Sequence, residues 1–152
     1  MKVALIMGSD SDFPVMKKAV AIFKEFGVDY ESYCISIGHR LPFVNSSRRL
    51  KNAVSGFCRR RRAMAAHLPG VVASYTTLPV IGVPLESGSL QGMDALLAIV
   101  QMPSGIPVAT VAINGAKNAA LLAVQIGAVS DAELAKKYKA YRENMANEVM
   151  AK

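Results

Sequence analysis

Three short stretches hold residue types that can grip a phosphorylated sugar and move a proton. The first is Gly8-Ser9-Asp10-Ser11-Asp12, between an apolar run and a helical pattern. A helix start exposes unpaired amides and partial positive charge, which suits a phosphate. The hydroxyls of Ser9 and Ser11 add donors, and the carboxylate of Asp12 can hold ribose hydroxyls. A plain helix cap explains the same residues equally well. The segment is not a P-loop, because Gly-x-x-x-x-Gly-Lys is missing. The second stretch is Ser36-Ile37-Gly38-His39-Arg40. A histidine titrates near neutral pH and carries protons in both directions. An adjacent arginine can fork onto a phosphate. A solitary histidine is more often structural, and only its placement beside the first loop raises a functional reading to parity. The third is Ala65-Ala66-His67-Leu68-Pro69-Gly70, at the start of a helical pattern. On its own, helix capping accounts for it better than ligand binding.

These stretches include no cysteine nucleophile and no paired carboxylates. The two cysteines and two histidines run Cys34, His39, Cys58, His67, without the close-paired spacing of a zinc site. No metal and no cofactor is expected. Two cysteines are too few for a disulfide framework. What remains suits a phosphorylated ribose and proton-transfer chemistry.

The elements between these stretches must place them on one edge. Lys2 to Met7 is apolar without alternation, the pattern of a strand buried on both faces. Val15, Met16, Ala19, Val20, Phe23 and Phe26 fall at helical spacing, with Pro14 in the first turn and Gly27 as the stop. Val28 to Ile35 reads as a second strand. Strand, turn, helix, strand is the opening of a parallel sheet with right-handed crossovers. Further on, His67 to Tyr75 and Leu90 to Met102 read as helices, and Leu78 to Pro84 and Ile106 to Ile113 as strands. Ala116 to Ile126 is an alanine-rich helix to be buried on most sides. Ser130-Asp131-Ala132-Glu133 reads as a capping box before a last helix. That helix carries Leu134, Tyr138, Tyr141, Met145 and Val149 as one stripe, expected to meet a neighbouring subunit. The sum is a single three-layer α/β/α domain with about five parallel strands, ligands lying beyond their carboxyl ends.

The chain has 152 residues, 52% of them hydrophobic and 19% charged, enough for one core and too apolar for disorder. No apolar run reaches membrane-span length, and the first residues lead straight into the first motif, so a cytoplasmic protein is expected. The net charge of +7 is concentrated. Arg40, Arg48, Arg49, Lys51 and Arg59 to Arg62 lie together, and no acid occurs between Glu31 and Glu86. A basic stripe can mark a nucleic-acid surface. Here no aromatic residues interleave it and no binding motif accompanies it, so nucleic acid is not an expected partner.

The three stretches, together with Leu78-Pro79-Val80-Ile81-Gly82-Val83-Pro84 and Ile99-Val100-Gln101-Met102-Pro103, resemble the class I N5-carboxyaminoimidazole ribonucleotide mutase family over residues 1–33 and 65–152. The resemblance implies a flavodoxin-like fold, a homo-octamer, and an aminoimidazole ribonucleotide as small-molecule substrate. It implies decarboxylation in place, then attack of the ring carbon C4 on trapped carbon dioxide. Ser9, Ser11, Asp12, Ser36 and Arg40 would bind phosphate and ribose. His39 would move the proton, and His67 and Leu68 would wall the carbon dioxide pocket. The related carboxylase that uses carbon dioxide directly is the alternative enzyme. A non-catalytic nucleotide-binding module is the alternative outside enzymes.

Residues 35–63 depart from the family pattern. Ile37 replaces a serine two places before the histidine, and Ser36 stands one residue early. Phe57 to Met64, with Arg59 to Arg62, occupies the place of the family's third strand. Buried unpaired charge is costly there. Arginine codons of the CGN type, read one base later, become GNC triplets, so a CGT-CGT-CGC run becomes Val-Val-Ala. Two compensating frame shifts in the gene would therefore restore the pattern; a divergent insert is the alternative.

The family reading makes a direct prediction. His39→Asn abolishes carboxylate transfer and leaves nucleotide binding largely intact. Retention of more than about a tenth of the parent kcat, against the usual ~10²-fold or larger contribution of a general acid–base group, removes the role.

Overall fold

The computed structural model describes residues 1–35 and 67–151, with the backbone of 52–57. The elements in order are β1 (Lys2–Met7), a 3-10 turn (Asp10–Asp12), α1 (Phe13–Phe26), β2 (Asp29–Cys34), β3 (Asn52–Phe57), α2 (Leu68–Ser74), β4 (Val80–Pro84), α3 (Met93–Val100), β5 (Ala109–Thr110), α4 (Ala116–Ala128) and α5 (Ala132–Met150). The strands form one parallel sheet in the order β2-β1-β3-β4-β5.

Period-two alternation divides β1 between two cores. Val3, Leu5 and Met7 pack with α1, α4 and the start of α5, among Phe23, Ala120 and Leu134. Ala4 and Ile6 pack with α2 and α3, among Leu68, Val72 and Ile99. Strand β4 behaves alike, with Ile81 and Val83 in the first core and Val80 in the second. Apart from Lys2 at the start of β1, both strands are apolar because helices cover both faces. Each fully buried aliphatic side chain contributes roughly 1.5–3 kcal/mol, so these strands anchor the domain.

The third strand corrects the sequence reading. It is Asn52–Phe57, paired to β1 through Val3↔Asn52 to Ile6↔Ser55 and to β4 through Ala53↔Val80 to Phe57↔Pro84. Asn52-Ala53-Val54-Ser55-Gly56-Phe57 carries no formal charge, as a strand between two buried neighbours requires. Arg59 begins two residues after the strand ends. Arg59 to Arg62 themselves lie outside the described residues.

Other bounds differ for local reasons. The expected helix from Leu90 starts only at Met93, because residues 88–92 form turns in which Gly88, Gln91 and Gly92 have positive φ. The expected strand from Ile106 pairs only at Ala109–Thr110; Pro107 has no amide for the ladder. Helix α5 is capped by Asp131, whose side chain accepts from the Leu134 amide at 3.1 Å. The expected box on Ser130 does not form, and Ser130 Oγ donates to Gly127 O instead.

The α5 stripe is divided. Leu134 is buried, and Tyr138 and Tyr141 lie 6.2 and 5.4 Å from Phe26 of α1, ring centre to ring centre. That half serves the chain's own core, contrary to the expectation of a neighbouring subunit. Met145 and Val149 remain 48% and 72% exposed. Among the described residues no helix is long and apolar enough to cross a membrane.

Gly82 on β4 sets how close the second helical layer lies. A Cβ there would stand 2.5 Å from Ile99 Cγ2 and 3.3 Å from Pro69. Ile99 is fully buried and cannot swing away. Gly82→Ala therefore lowers stability by about 1–3 kcal/mol through overpacking, read as a fall in the denaturant midpoint. An unchanged midpoint contradicts this packing.

Candidate functional site

In the order β2-β1-β3-β4-β5, chain connections leave β1 and β3 for opposite faces of the sheet. The carboxyl ends of these two strands flank the topological switch point, the place where open parallel sheets bind ligands. The loop after β1 is Gly8 to Asp12. The helix following β3 is α2, which His67 and Leu68 open. These are two of the stretches singled out in the sequence. The structure brings them together, because Leu68 Cδ2 lies 3.9 Å from where a Gly8 Cβ would stand.

The loop is organised around Asp12. Its carboxylate is 1% exposed, and Oδ2 accepts the amides of Gly8 at 3.0 Å and Ser9 at 3.1 Å. Ser9 caps the 3-10 turn, with Oγ accepting from the Ser11 amide at 3.3 Å. Ser11 Oγ donates to Ser9 Oγ at 3.0 Å, and the Ser11 amide also reaches Asp10 Oδ1 at 2.9 Å. Both hydroxyls therefore sit side by side on the outer rim, while Asp12 lies beneath them. The capping and binding readings of this loop coincide in space: Asp12 shapes the loop that presents Ser9 and Ser11. Pro14 then starts α1 and Gly27, at φ 67°, ends it.

His67 sits immediately before α2 with its carbonyl accepting from Val71 N at 3.0 Å. Its side chain makes no cap. The imidazole lies over Gly70, where a Cβ would overlap the ring and force it to shift. Its Nε2 lies 2.7 Å from Met102 Sδ, in the segment after α3. Burial pushes the imidazole below its ordinary pKa of 6.5, so the ring is neutral at pH 7. Below pH 6.5 the unfolded chain takes up a proton before the folded ring does, so stability falls on acidification through this window. Leu68 is 2% exposed in the second core.

Ser36, His39 and Arg40 lie outside the described residues. Cys34, at the end of β2, is an exposed free thiol. Among the described residues no group of three His, Cys, Asp or Glu side chains is placed to hold a metal. Two features went unseen in the sequence. Asn114, at φ 58°, accepts from the Glu86 amide and donates to Glu86 Oε2, both at 3.0 Å. It thereby ties the loop after β4 to the turn after β5. The other is Met102 against His67, 35 residues apart in sequence; no local pattern announces such a contact. Gly70, three residues after His67 and so on the same helical face, was the one available sign.

A family model described as AIR carboxylase matches residues 2–148. N5-carboxyaminoimidazole ribonucleotide mutase of Saccharolobus solfataricus is 51% identical, over 99% of this chain and 96% of its own length. The mutase of Thermotoga maritima is 50% identical, over 99% of this chain and 89% of its own length. The phosphoribosylaminoimidazole carboxylase of Candida albicans is 48% identical over 99% of this chain, which spans 27% of that protein. The crystal structure of Treponema denticola PurE has a TM-score of 0.83 and 30% identity, covering 99% of this chain and 94% of that one.

The buried carboxylate gives a testable distinction. Asp12→Ala strands the Gly8 and Ser9 amides and costs about 1–3 kcal/mol of stability. Asp12→Asn keeps an accepting oxygen and loses less. Equal melting temperatures for parent and alanine variant contradict the arrangement.

Proposed function

Because the chain belongs to the AIR carboxylase family, we propose that it is an N5-carboxyaminoimidazole ribonucleotide mutase, an isomerase of purine biosynthesis. One observation carries this reading: identity of 50% or more to proteins of that name over essentially the whole chain. The substrate carries its carboxylate on the exocyclic nitrogen, and the product carries it on ring carbon C4. The carbon–nitrogen bond breaks, carbon dioxide is released in place, and C4 attacks it. The C4 proton leaves and the nitrogen regains one, so atoms balance with no cofactor.

The residue roles belong to this proposal. Ser9 and Ser11 offer adjacent hydroxyls on the loop rim to the phosphate or ribose. Asp12 holds that loop through the Gly8 and Ser9 amides, and in this reading its carboxylate serves the ribose hydroxyls. Ser36 and Arg40 complete the phosphate contacts, and His39 carries the proton. His67 and Leu68 wall the carbon dioxide site. Leu68 is apolar and buried, and the His67 ring is neutral, so neither competes for the gas with charge or bound water. A dry wall matters because escaped carbon dioxide ends the reaction.

Assembly as a homo-octamer belongs to the same proposal. Met145 and Val149 on α5, and Leu90, Met93, Leu97 and Val100 on and before α3, are large apolar side chains left exposed by the chain's own fold. Such area is in keeping with subunit contacts. A cytoplasmic location accompanies a reaction on a nucleotide intermediate.

Substrate carrying a ¹³C-labelled carboxylate decides the chemistry. A mutase retains the label in the C4 product when unlabelled bicarbonate is present. Loss of label to the medium indicates the direct carboxylase, to which the Candida relative's name gives weight. No turnover at all refutes both. Light scattering should give a particle about eight times the 16.2 kDa chain mass; a monomer overturns the assembly.

A further inference from the structure

We propose that Asp10 tunes the affinity of the site: in the free protein its carboxylate occupies the Ser9 hydroxyl and the Ser11 amide, and an incoming phosphate must displace it. The inference rests on the reading of Ser9 and Ser11 as phosphate contacts of the substrate.

The hydrogen bonds on the loop rim have a fixed direction. Asp10 Oδ1 lies 3.0 Å from Ser9 Oγ and 2.9 Å from the Ser11 amide nitrogen. A carboxylate can only accept, so the single hydroxyl proton of Ser9 is donated to Asp10. Ser9 Oγ then has no proton for another partner. Toward Ser11 it accepts, from the hydroxyl at 3.0 Å and from the amide at 3.3 Å. The hydroxyl of Ser11 thus points to Ser9, and the hydroxyl of Ser9 points to Asp10. The chain of donors ends on one carboxylate oxygen, which fills the part of an anion.

The two carboxylates of the loop differ in depth. Asp12 is buried and holds the Gly8 and Ser9 amides from beneath. Asp10 and Ser11 are exposed and Ser9 is half-buried, so a ligand meets all three at the surface. Asp10 packs in neither core, and its side chain is free to turn out to solvent. A phosphate brought to the same donors meets its like charge and must take over its hydrogen bonds. Once Asp10 has turned away, phosphate oxygens accept from the two hydroxyls in charge-assisted bonds. Asp10 therefore sets how much of the phosphate's binding is spent on displacement, and it touches no reacting atom.

Calorimetry on the assembled protein tests this with the product nucleotide and with its nucleoside, which lacks the phosphate. Asp10→Ala should lower the Kd of the nucleotide about fivefold, the scale of one hydrogen bond and one exposed charge contact. Asp10→Asn keeps an accepting oxygen without the charge and should lower it by about half as much on a logarithmic scale. The gain should shrink at high salt, which screens the charge. The nucleoside should bind the parent and both variants alike, and kcat should be little changed. Nucleotide binding that is equal or weaker in both variants overturns the proposal, as does an equal gain for the nucleoside; parent turnover then leaves the mutase reading standing. The expected gain in a protein without turnover upholds the role of Asp10 and removes the mutase reading instead. A parent that neither turns over nor binds the nucleotide overturns both.

Discussion

Strand β1 has no face turned to water. Val3, Leu5 and Met7 feed one core, Ala4 and Ile6 the other, and β2 and β3 occupy both of its edges. Its backbone and side chains are thus committed in four directions at once. The chain can leave such a strand only at its end, and it does so at Gly8. Burial of β1 therefore places the Gly8–Asp12 loop at the carboxyl edge as firmly as any contact within the loop does. The same holds for β4, whose exit reaches Glu86 and its tie to Asn114.

The site inherits its rigidity from that arrangement. Asp12 is buried because the loop folds over it, and the loop folds because two amides point inward at one carboxylate oxygen. On the opposite wall, small residues do the corresponding work. Gly82 lets Ile99 and Pro69 close down on the sheet, and Gly70 leaves room for the His67 ring against the first turn of α2. Residues with no side chain thus decide how closely α2 and α3 approach the sheet and where the His67 ring lies.

How much of this was legible follows from the range of each interaction. Lys2–Met7 and α1 were readable because periodicity, Pro14 and Gly27 are local signals, and the strand bounds agree to the residue. The Gly8–Asp12 loop and the His67–Leu68 helix start were placed on one edge by topology alone, and Leu68 beside Gly8 agrees with that. The third strand was misplaced by reading from the family pattern toward Phe57–Met64; the strand instead uses the uncharged Asn52–Phe57, which pairing with β1 and β4 selects. The stripe on α5 was recognised, yet its partner was not. A stripe states that a surface is needed and says nothing of which one, and Phe26 lies more than a hundred residues away. The Met102–His67 contact was hidden for the same reason.

The sheet ends matter as well. At one side stands β5, two residues long. At the other stands β2, which carries Asp29 and Glu31 and has only partial burial along its length. An exposed strand edge is a template on which foreign chains can grow. Two paired residues give such growth almost no purchase, and charged residues along β2 disfavour stacking against its like. With its central strands this apolar, the protein would be a strong candidate for amyloid-like assembly if they were exposed. Its flanks confine that hazard to the unfolded chain, so any tendency to aggregate should follow the population of unfolded molecules and not the concentration of folded ones.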